Sequence, residues 1–420
     1  MDKNKMLEKA FKLCLMCSIV LVPFIVFIPN EVRYTYGITL SMYVVGIVLL
    51  ILIVLNKFRL KLKLENKIGI FFLFTLLIAT IVAVDPKIAF FGNEHRHEGL
   101  IIFGIYILLF IVSSNYFILN EKTVKIIIVS GVIMSIITVM QFFGNDFLLV
   151  NALGRDSCAP SGLLGNQNFN ATYQMMFATL SSAMFVFYKN KSYLLAAAIN
   201  FGGLICTLTR GCWLSFGLIC LITLILLFKD KKRRYRIWTL TICFIFVFLS
   251  LNLLNGGVLK NRASTIKDNL NITNEETGSG RVEIWKICLG TIDDRFMIGT
   301  GPDTLQQRLT LYEKTVMDDY YLKHGASIDK AHCEPLEYLL CGGVFTMISY
   351  VIMCGTILFK LYKKKDNPII FILFIISLGY FVQALFNIST VGVAQIYWIV
   401  LGQSVYVIYR DDKKMLIESE

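Results

Sequence analysis

The sequence predicts an all-α polytopic membrane protein with about twelve transmembrane helices and one long extracytoplasmic loop containing short helices. Three observations lead there. The 420 residues are 56% hydrophobic and only 17% charged, where a soluble domain carries about 25% charge. Apolar stretches approach the ~20 residues needed to cross ~30 Å of hydrocarbon, and they recur with short polar breaks between them. Lys and Arg gather on alternate connections, as the positive-inside rule requires.

The stretches lie at about 11–29, 36–56, 68–84, 99–116, 122–142, 169–188, 193–208, 212–228, 237–254, 334–359, 367–387 and 390–409. The first follows basic residues, as in a signal peptide. It lacks a small-residue cleavage site and runs into Pro29-Asn30-Glu31, so it reads as an uncleaved span. With the N-terminus in the cytoplasm, inner segments hold 26 of the 41 Lys and Arg, including Lys57, Arg59, Lys61, Lys63, the Lys231-Lys232-Arg233-Arg234 run and Lys363-Lys364-Lys365. Outer segments hold 15, ten of them in one loop. Both termini are thereby expected in the cytoplasm. The net charge of +12 reflects anchors beside anionic lipid and excludes a nucleic-acid partner. The expected organisation is spans one to nine in 1–254, an extracytoplasmic loop or cap in 255–333, and spans ten to twelve with a cytoplasmic tail in 334–420.

Three outer segments carry residues that topology alone does not require: 85–98, 143–168 and 255–333. In the last, Val282, Ile284, Trp285, Ile287, Cys288 and Leu289 predict a short amphipathic helix over 279–292. Gly299-Thr300-Gly301-Pro302-Asp303 predicts a turn leading into a second helix, with Pro302 and Asp303 near its start. The polar and aromatic stretch 304–323 is expected over the bundle or along the headgroup layer. Cysteines such as Cys14, Cys206, Cys243 and Cys354 fall within spans, where they act as small hydrophobes. Cys158 and Cys333 lie outside, where a pair is feasible, although no dense disulfide framework is visible.

Arg210 is the sole charge from 192 to 228. An Arg at the bilayer centre costs at least ~2.5–3.5 kcal/mol, so it belongs at the outer boundary or facing a watered cavity. It serves there either as an interfacial anchor beside Trp213 or as an anion ligand, since its planar fork suits phosphate oxygens. Arg281 follows Gly278-Ser279-Gly280 at a helix start, where free N–H groups attract anions. His332 stands where the loop re-enters the membrane. Imidazole titrates near neutrality and can take a proton from a hydroxyl. Glu334 and Glu337, two and five residues on, are placed to orient that ring or contact an acceptor. His95-Arg96-His97-Glu98 lacks the spacing of a helical HExxH zinc pair and reads as a second anion-contacting patch through Arg96, not a metal site.

These residues resemble a family. Thr209-Arg210-Gly211-Cys212-Trp213 looks like the Ser-Arg-Gly-Ala-Trp segment of the O-antigen ligase and O-antigen polymerase superfamily. Arg281-Val-Glu-Ile-Trp285, with the turn at Gly299 and Gly301, is similar to its loop motif. Asp329-Lys-Ala-His332-Cys-Glu334, then Gly343, resembles its His-Asn-Glu-x-Leu segment and the glycine beyond. Gly165-Asn166-Gln167-Asn168-Phe169 resembles its Gly-Asn-Pro-Asn-Phe segment, and Arg96-His-Glu98-Gly99-Leu100 a segment of Gram-positive members. The chain departs at Cys333, Cys341 and Phe296, where the family has Asn, an acidic residue and Pro.

The resemblance implies a GT-C-like membrane glycosyltransferase of the cell envelope. Its members move a glycan from undecaprenyl diphosphate to an acceptor hydroxyl on the outer face of the plasma membrane, in polysaccharide polymerisation or ligation. Arg210 and Arg281 would hold the diphosphate and His332 would be the base. Glu334, Glu337, Arg96, Glu98, Arg155, Asn166 and Asn168 would contact substrate or acceptor. Gly211, Trp213, Trp285, Gly299, Gly301 and Gly343 would shape the site. The reaction would invert the anomeric centre without metal or cofactor. Its partners would be a lipid-linked oligosaccharide, a glycan, wall or protein acceptor, membrane lipids and other envelope-assembly proteins. The alternative reading is a transporter or lipid-linked glycan flippase, but internal repeats and mid-membrane charges are scarce. A third is a non-catalytic scaffold of wall assembly.

Overall fold

The computed structural model describes residues 3–25, 34–145, 160–268, 280–292 and 295–410. Among them the chain is all-helical. The helices are α1 (Lys3–Val20), α2 (Tyr34–Leu55), α3 (Leu64–Ile81), α4 (Pro86–Phe91), α5 (Leu100–Ser113) and α6 (Glu121–Phe142). They continue with α7 (Gln167–Tyr188), α8 (Lys191–Cys206), α9 (Arg210–Leu227), α10 (Lys231–Leu254) and α11 (Val258–Asp268). The last six are α12 (Arg281–Gly290), α13 (Leu305–Tyr312), α14 (Lys314–His324), α15 (Glu334–Lys363), α16 (Pro368–Ala384) and α17 (Ala394–Ile408).

Six of these, α2, α3, α6, α9, α10 and α15, are long and apolar enough to cross a membrane by length and composition. Four more, α5, α8, α16 and α17, are shorter apolar helices. Sequence polarity tracks position in the bundle. α7 carries Asn170, Thr172, Gln174 and Ser181, all buried. Their groups pair with neighbouring helices: Asn170 Nδ2 donates to Thr138 Oγ1 at 2.8 Å, Ser135 Oγ to Gln174 Oε1 at 2.6 Å and Thr172 Oγ1 to Gln383 Oε1 at 2.9 Å. A helix surrounded by protein can carry such groups once each has a partner. α10 is the opposite case. It leaves Ile242, Phe246, Leu249 and Leu253 exposed, a face too apolar for water and suited to lipid.

One helix is broken. α15 leaves helical geometry at Gly343 (φ 79°), and the Gly299–Gly301 turn fills the break. Thr300 N donates to Leu340 O at 2.9 Å, Gly301 N to Cys341 O at 2.8 Å and Val344 N to Phe296 O at 2.9 Å. Freed backbone groups in a spanning helix must find partners inside the protein, and the turn supplies them. Glycine is needed on both sides. A Cβ on Gly343 would lie 2.2 Å from Met297 O, and one on Gly299 2.5 Å from the Cys341 carbonyl carbon.

The turn leads into a second helix, as expected, but Asp303 does not cap it. α13 starts at Leu305 behind Thr304, whose side chain makes no capping bond. Asp303 sits in the left-handed region (φ 61°) and turns away from the helix. Its carboxylate accepts from Asn93 N (2.7 Å), Asn93 Nδ2 (3.1 Å) and Glu98 N (3.2 Å). Two backbone N–H groups and an amide outcompete a cap, so Asp303 clamps the 93–98 loop instead. α12 to α14 enclose a small core of Ile284, Leu305, Leu309, Met317 and Ile328 that seats on Leu340 of α15.

Candidate functional site

A polar cleft of about 440 Å³ lies where α7, α9, α11, α12 and α14 meet the 326–332 segment. Arg210, Arg262, Arg281 and His332 line it, with Asn168, Gly211, Tyr320, Ser327 and Asp329. Three guanidinium groups from three helices thus share one cavity with an imidazole.

The arginines are held by local geometry. Arg210 is the first residue of α9, and its Nη1 donates to Thr265 O (3.1 Å) and Thr265 Oγ1 (2.8 Å) on α11. α11 answers through Arg262, whose Nε donates to Leu208 O at 2.9 Å. The two helix ends are therefore cross-braced, and both arginines line the cleft. Arg281 opens α12 behind Gly280 (φ 77°). Burial, and then the nearby Arg210 cation, depress its pKa below the ordinary arginine value. It stays charged, but its charge is poorly compensated.

His332 is held with strain. Its backbone lies at φ 51°, unusual for a side chain of that size. The preceding carbonyl, Ala331 O, accepts from Trp285 Nε1 at 2.9 Å. Burial, then the Arg281 cation, pull the imidazole down to about 4, with Asp329 pulling the other way. The ring is therefore neutral at physiological pH, and its Nδ1 is buried without a hydrogen-bond partner among the described residues.

The acids near His332 are not those adjacent in sequence. Glu334 accepts from Tyr350 (3.0 Å) and Tyr380 (2.8 Å), and Glu337 from Ala331 N (2.8 Å) and Cys341 Sγ (3.2 Å). Both are buried, and among the described residues neither bonds the imidazole. The acid beside the ring is Asp329, held by Arg96 Nε at 2.7 Å and Nη2 at 2.6 Å. That pairing, and the Coulombic pull of Arg96, keep the Asp329 carboxyl below the usual range against the effect of burial. Arg96 also stacks over Phe169, 5.4 Å from the ring centre.

Glu98 lies deeper. It accepts from Tyr106 (3.2 Å) and Ser389 (2.5 Å) and faces Lys330, which is 2% exposed. Lys330 Nζ lies 3.2 Å from Asp303, 3.4 Å from Glu337 and 3.5 Å from Glu98. This ionic hub holds the loop just before His332 to α15, the turn and the 93–98 loop.

Of the other expected positions, Asn166 caps α7 by accepting from Asn168 N at 2.8 Å, and Asn168 reaches the cleft. Trp213 donates to Leu204 O at 3.1 Å and lines a separate apolar groove of about 400 Å³ with Phe201, Phe216, Phe244 and Phe248. Gly211 borders the cleft, and a Cβ there would meet only Phe386 at 3.9 Å. Gly301 packs against Ala83 and Ala89. His95 and His97 diverge: His95 lines a different cavity, and His97 meets the Tyr36 ring. Arg155 and Cys158 lie outside the described residues. Sequence reasoning gave no site role to Arg262, Asp329 or Lys330, although the last two stand in the His332 segment. Arg262 belongs to the loop's basic group, and nothing local separates it from a surface arginine.

The fold and the cleft define a multi-pass membrane protein whose cationic site opens where a group of short helices meets the bundle. Residues 195–351 match the family model described as O-Antigen ligase, and this match supports the O-antigen ligase and polymerase superfamily for the chain. The matched segment contains Arg210, Arg262, Arg281 and His332, and it supports a membrane enzyme of the O-antigen ligase or polymerase type. No curated protein matches the chain.

Proposed function

We propose that the cleft transfers a glycan from undecaprenyl diphosphate to an acceptor hydroxyl at the outer face of the plasma membrane. One observation carries this reading. Arg210, Arg262 and Arg281 share a cleft with a neutral imidazole, while its lining carboxylate, Asp329, is already paired with Arg96. Such a cavity attracts an anion and offers a base.

In this reading Arg281 and Arg210, aided by Arg262, hold the diphosphate. The acceptor oxygen attacks the anomeric carbon, the bond from that carbon to the diphosphate oxygen breaks, and the lipid diphosphate departs. His332 accepts the hydroxyl proton. Attack opposite the leaving group inverts the anomeric centre. Preplaced guanidinium groups stabilise charge developing on the leaving oxygen. The depressed basicity of His332 fits a substrate-coupled base: a bound diphosphate offsets the Arg281 field and raises the imidazole pKa when the base is required. The apolar groove beside Trp213, three residues along α9 from Arg210, is suited to the first isoprene units of the lipid. Twelve spans, cytoplasmic termini and a cap over 255–333 complete the proposed topology.

The test is incubation of purified protein with a lipid-linked repeat unit, followed by product sizing. A ladder identifies a polymerase, and one block added to a distinct acceptor identifies a ligase. Wild-type protein that moves the lipid across vesicles without changing its glycan would replace this reading with a flippase.

A further inference from the structure

A second cavity, of about 730 Å³, opens between α4 with the 92–95 segment on one side and α13 on the other. Its volume falls in the ~300–1,000 Å³ range of small-molecule sites. Phe91, Glu94, His95, Gln306, Gln307 and Thr310 are among its lining residues. From these residues we infer that it is the subsite for the acceptor glycan, an inference that rests on the transfer reaction proposed above.

The chemistry of the lining separates it from the arginine cleft. Among the described residues no arginine borders it, and Lys87 is outnumbered by Asp85 and Glu94, so a diphosphate is disfavoured. Sugar hydroxyls both donate and accept, and carboxamides beside a carboxylate match that pattern. Gln307 Oε1 is buried without a hydrogen-bond partner among the described residues. An unsatisfied buried acceptor is a standing cost, which a hydroxyl entering from the cavity would relieve. Phe91 remains 50% exposed, an aromatic surface open to the C–H face of a sugar ring.

Position assigns the cavity to the acceptor. Gln306 Nε2 donates to Ser327 Oγ at 3.0 Å, and Ser327 lines the arginine cleft. One hydrogen bond thus forms part of the wall between the two cavities. Arg96, next to His95, pairs with Asp329 beside His332. The second cavity therefore abuts the His332 side of the cleft, where an attacking hydroxyl would enter. Its walls are fixed in advance, because Asp303 ahead of α13 binds Asn93 through both N and Nδ2. A preformed site loses less on ordering its ligand.

The test uses the full-length protein in detergent and two probes. One is the glycan released by mild acid from the host's lipid-linked oligosaccharide; the other is inorganic diphosphate. Glycan binding to the wild type, read by saturation-transfer NMR, should weaken about ten-fold in Gln307→Ala and in Phe91→Ala, the loss of one good contact. Diphosphate binding should not change in either. Arg281→Ala should do the reverse. Gln307→Met nearly preserves volume, removes the acceptor, and serves if the alanine variant fails to elute as a single species. In transfer assays Gln307→Ala should raise the acceptor KM and leave the donor KM unchanged. The inference is overturned if the glycan fails to bind wild-type protein, or if its binding depends on Arg281 and ignores Gln307 and Phe91. Diphosphate binding that ignores Arg281 would instead sink the reading of the cleft and leave the cavity's glycan binding to stand alone.

Discussion

Arg96 and Asp329, 233 residues apart, meet through two guanidinium nitrogens that close on one carboxylate oxygen. The contact ties the 93–98 loop to the segment carrying His332. It also neutralises the acid nearest the imidazole. Arg96→Ala is expected to lower kcat about ten-fold or more through misplacement of His332 while leaving donor KM within about two-fold. Steady-state kinetics with donor varied at fixed acceptor check this. A purely donor-side KM effect would mean that Arg96 touches the diphosphate instead. The Asp329 pairing is also a stability term. Its carboxyl is depressed in the fold, so stability is present above the unfolded value near 4 and is lost as pH falls below it. Arg96→Ala should flatten that acid limb in thermal unfolding scans.

His332 supplies a pH signature. Its imidazole is held at about 4 in the free protein, by burial and then Arg281. The acid limb of kcat/KM should therefore fall well below the ordinary histidine pKa of about 6.5. The limb of kcat should lie higher, because bound diphosphate cancels part of the arginine field. Removing a neighbouring cation raises an imidazole pKa, so Arg281→Ala should move the kcat/KM limb toward neutrality, on top of a rate loss of about 10²-fold. His332→Ala should abolish transfer and retain diphosphate binding. An active His332→Ala enzyme rules out the imidazole as base.

Lys330 predicts a stability defect. It is the buried cation facing Asp303, Glu337 and Glu98. Lys330→Met would leave those carboxyls without their ammonium partner, a change that costs roughly 3–5 kcal/mol where a buried pair loses one member. The expected result is a sharp fall in the yield of folded protein and in Tm. Asp303→Asn should be milder, because an amide oxygen can still accept from the Asn93 and Glu98 N–H groups. Equal losses in the two variants would show that the charge on Lys330 is unimportant.

The glycines separate fold from site. Gly343→Ala forces a Cβ to 2.2 Å from Met297 O at a positive φ, so protein that inserts should fail to elute as a single species. Gly211→Ala meets only Phe386 at ordinary distance. That variant should fold like wild type, and any loss should appear in transfer rate alone. Size-exclusion profiles beside transfer assays distinguish the two.

The sequence by itself determined the membrane-embedded, all-helical character of the chain, because hydropathy and charge segregation are local properties of each stretch. It also singled out Arg210, Arg281 and His332 one at a time. Each is chemically conspicuous where it stands: a lone charge amid apolar residues, an arginine at a helix start, an imidazole at a membrane entry. Only the tertiary structure decided which groups accompany them. Arg262 joined the cleft because α11 folds back across the start of α9. Asp329, rather than Glu334 or Glu337, came beside His332 because α15 begins at Glu334 and carries both glutamates into the bundle. Asp303, near the start of α13, turned away from that helix because the 93–98 loop offered its carboxylate stronger donors. Those partners lie as far as 210 residues apart in the chain. Their meeting depends on how helices pack, which the residues around each position do not specify.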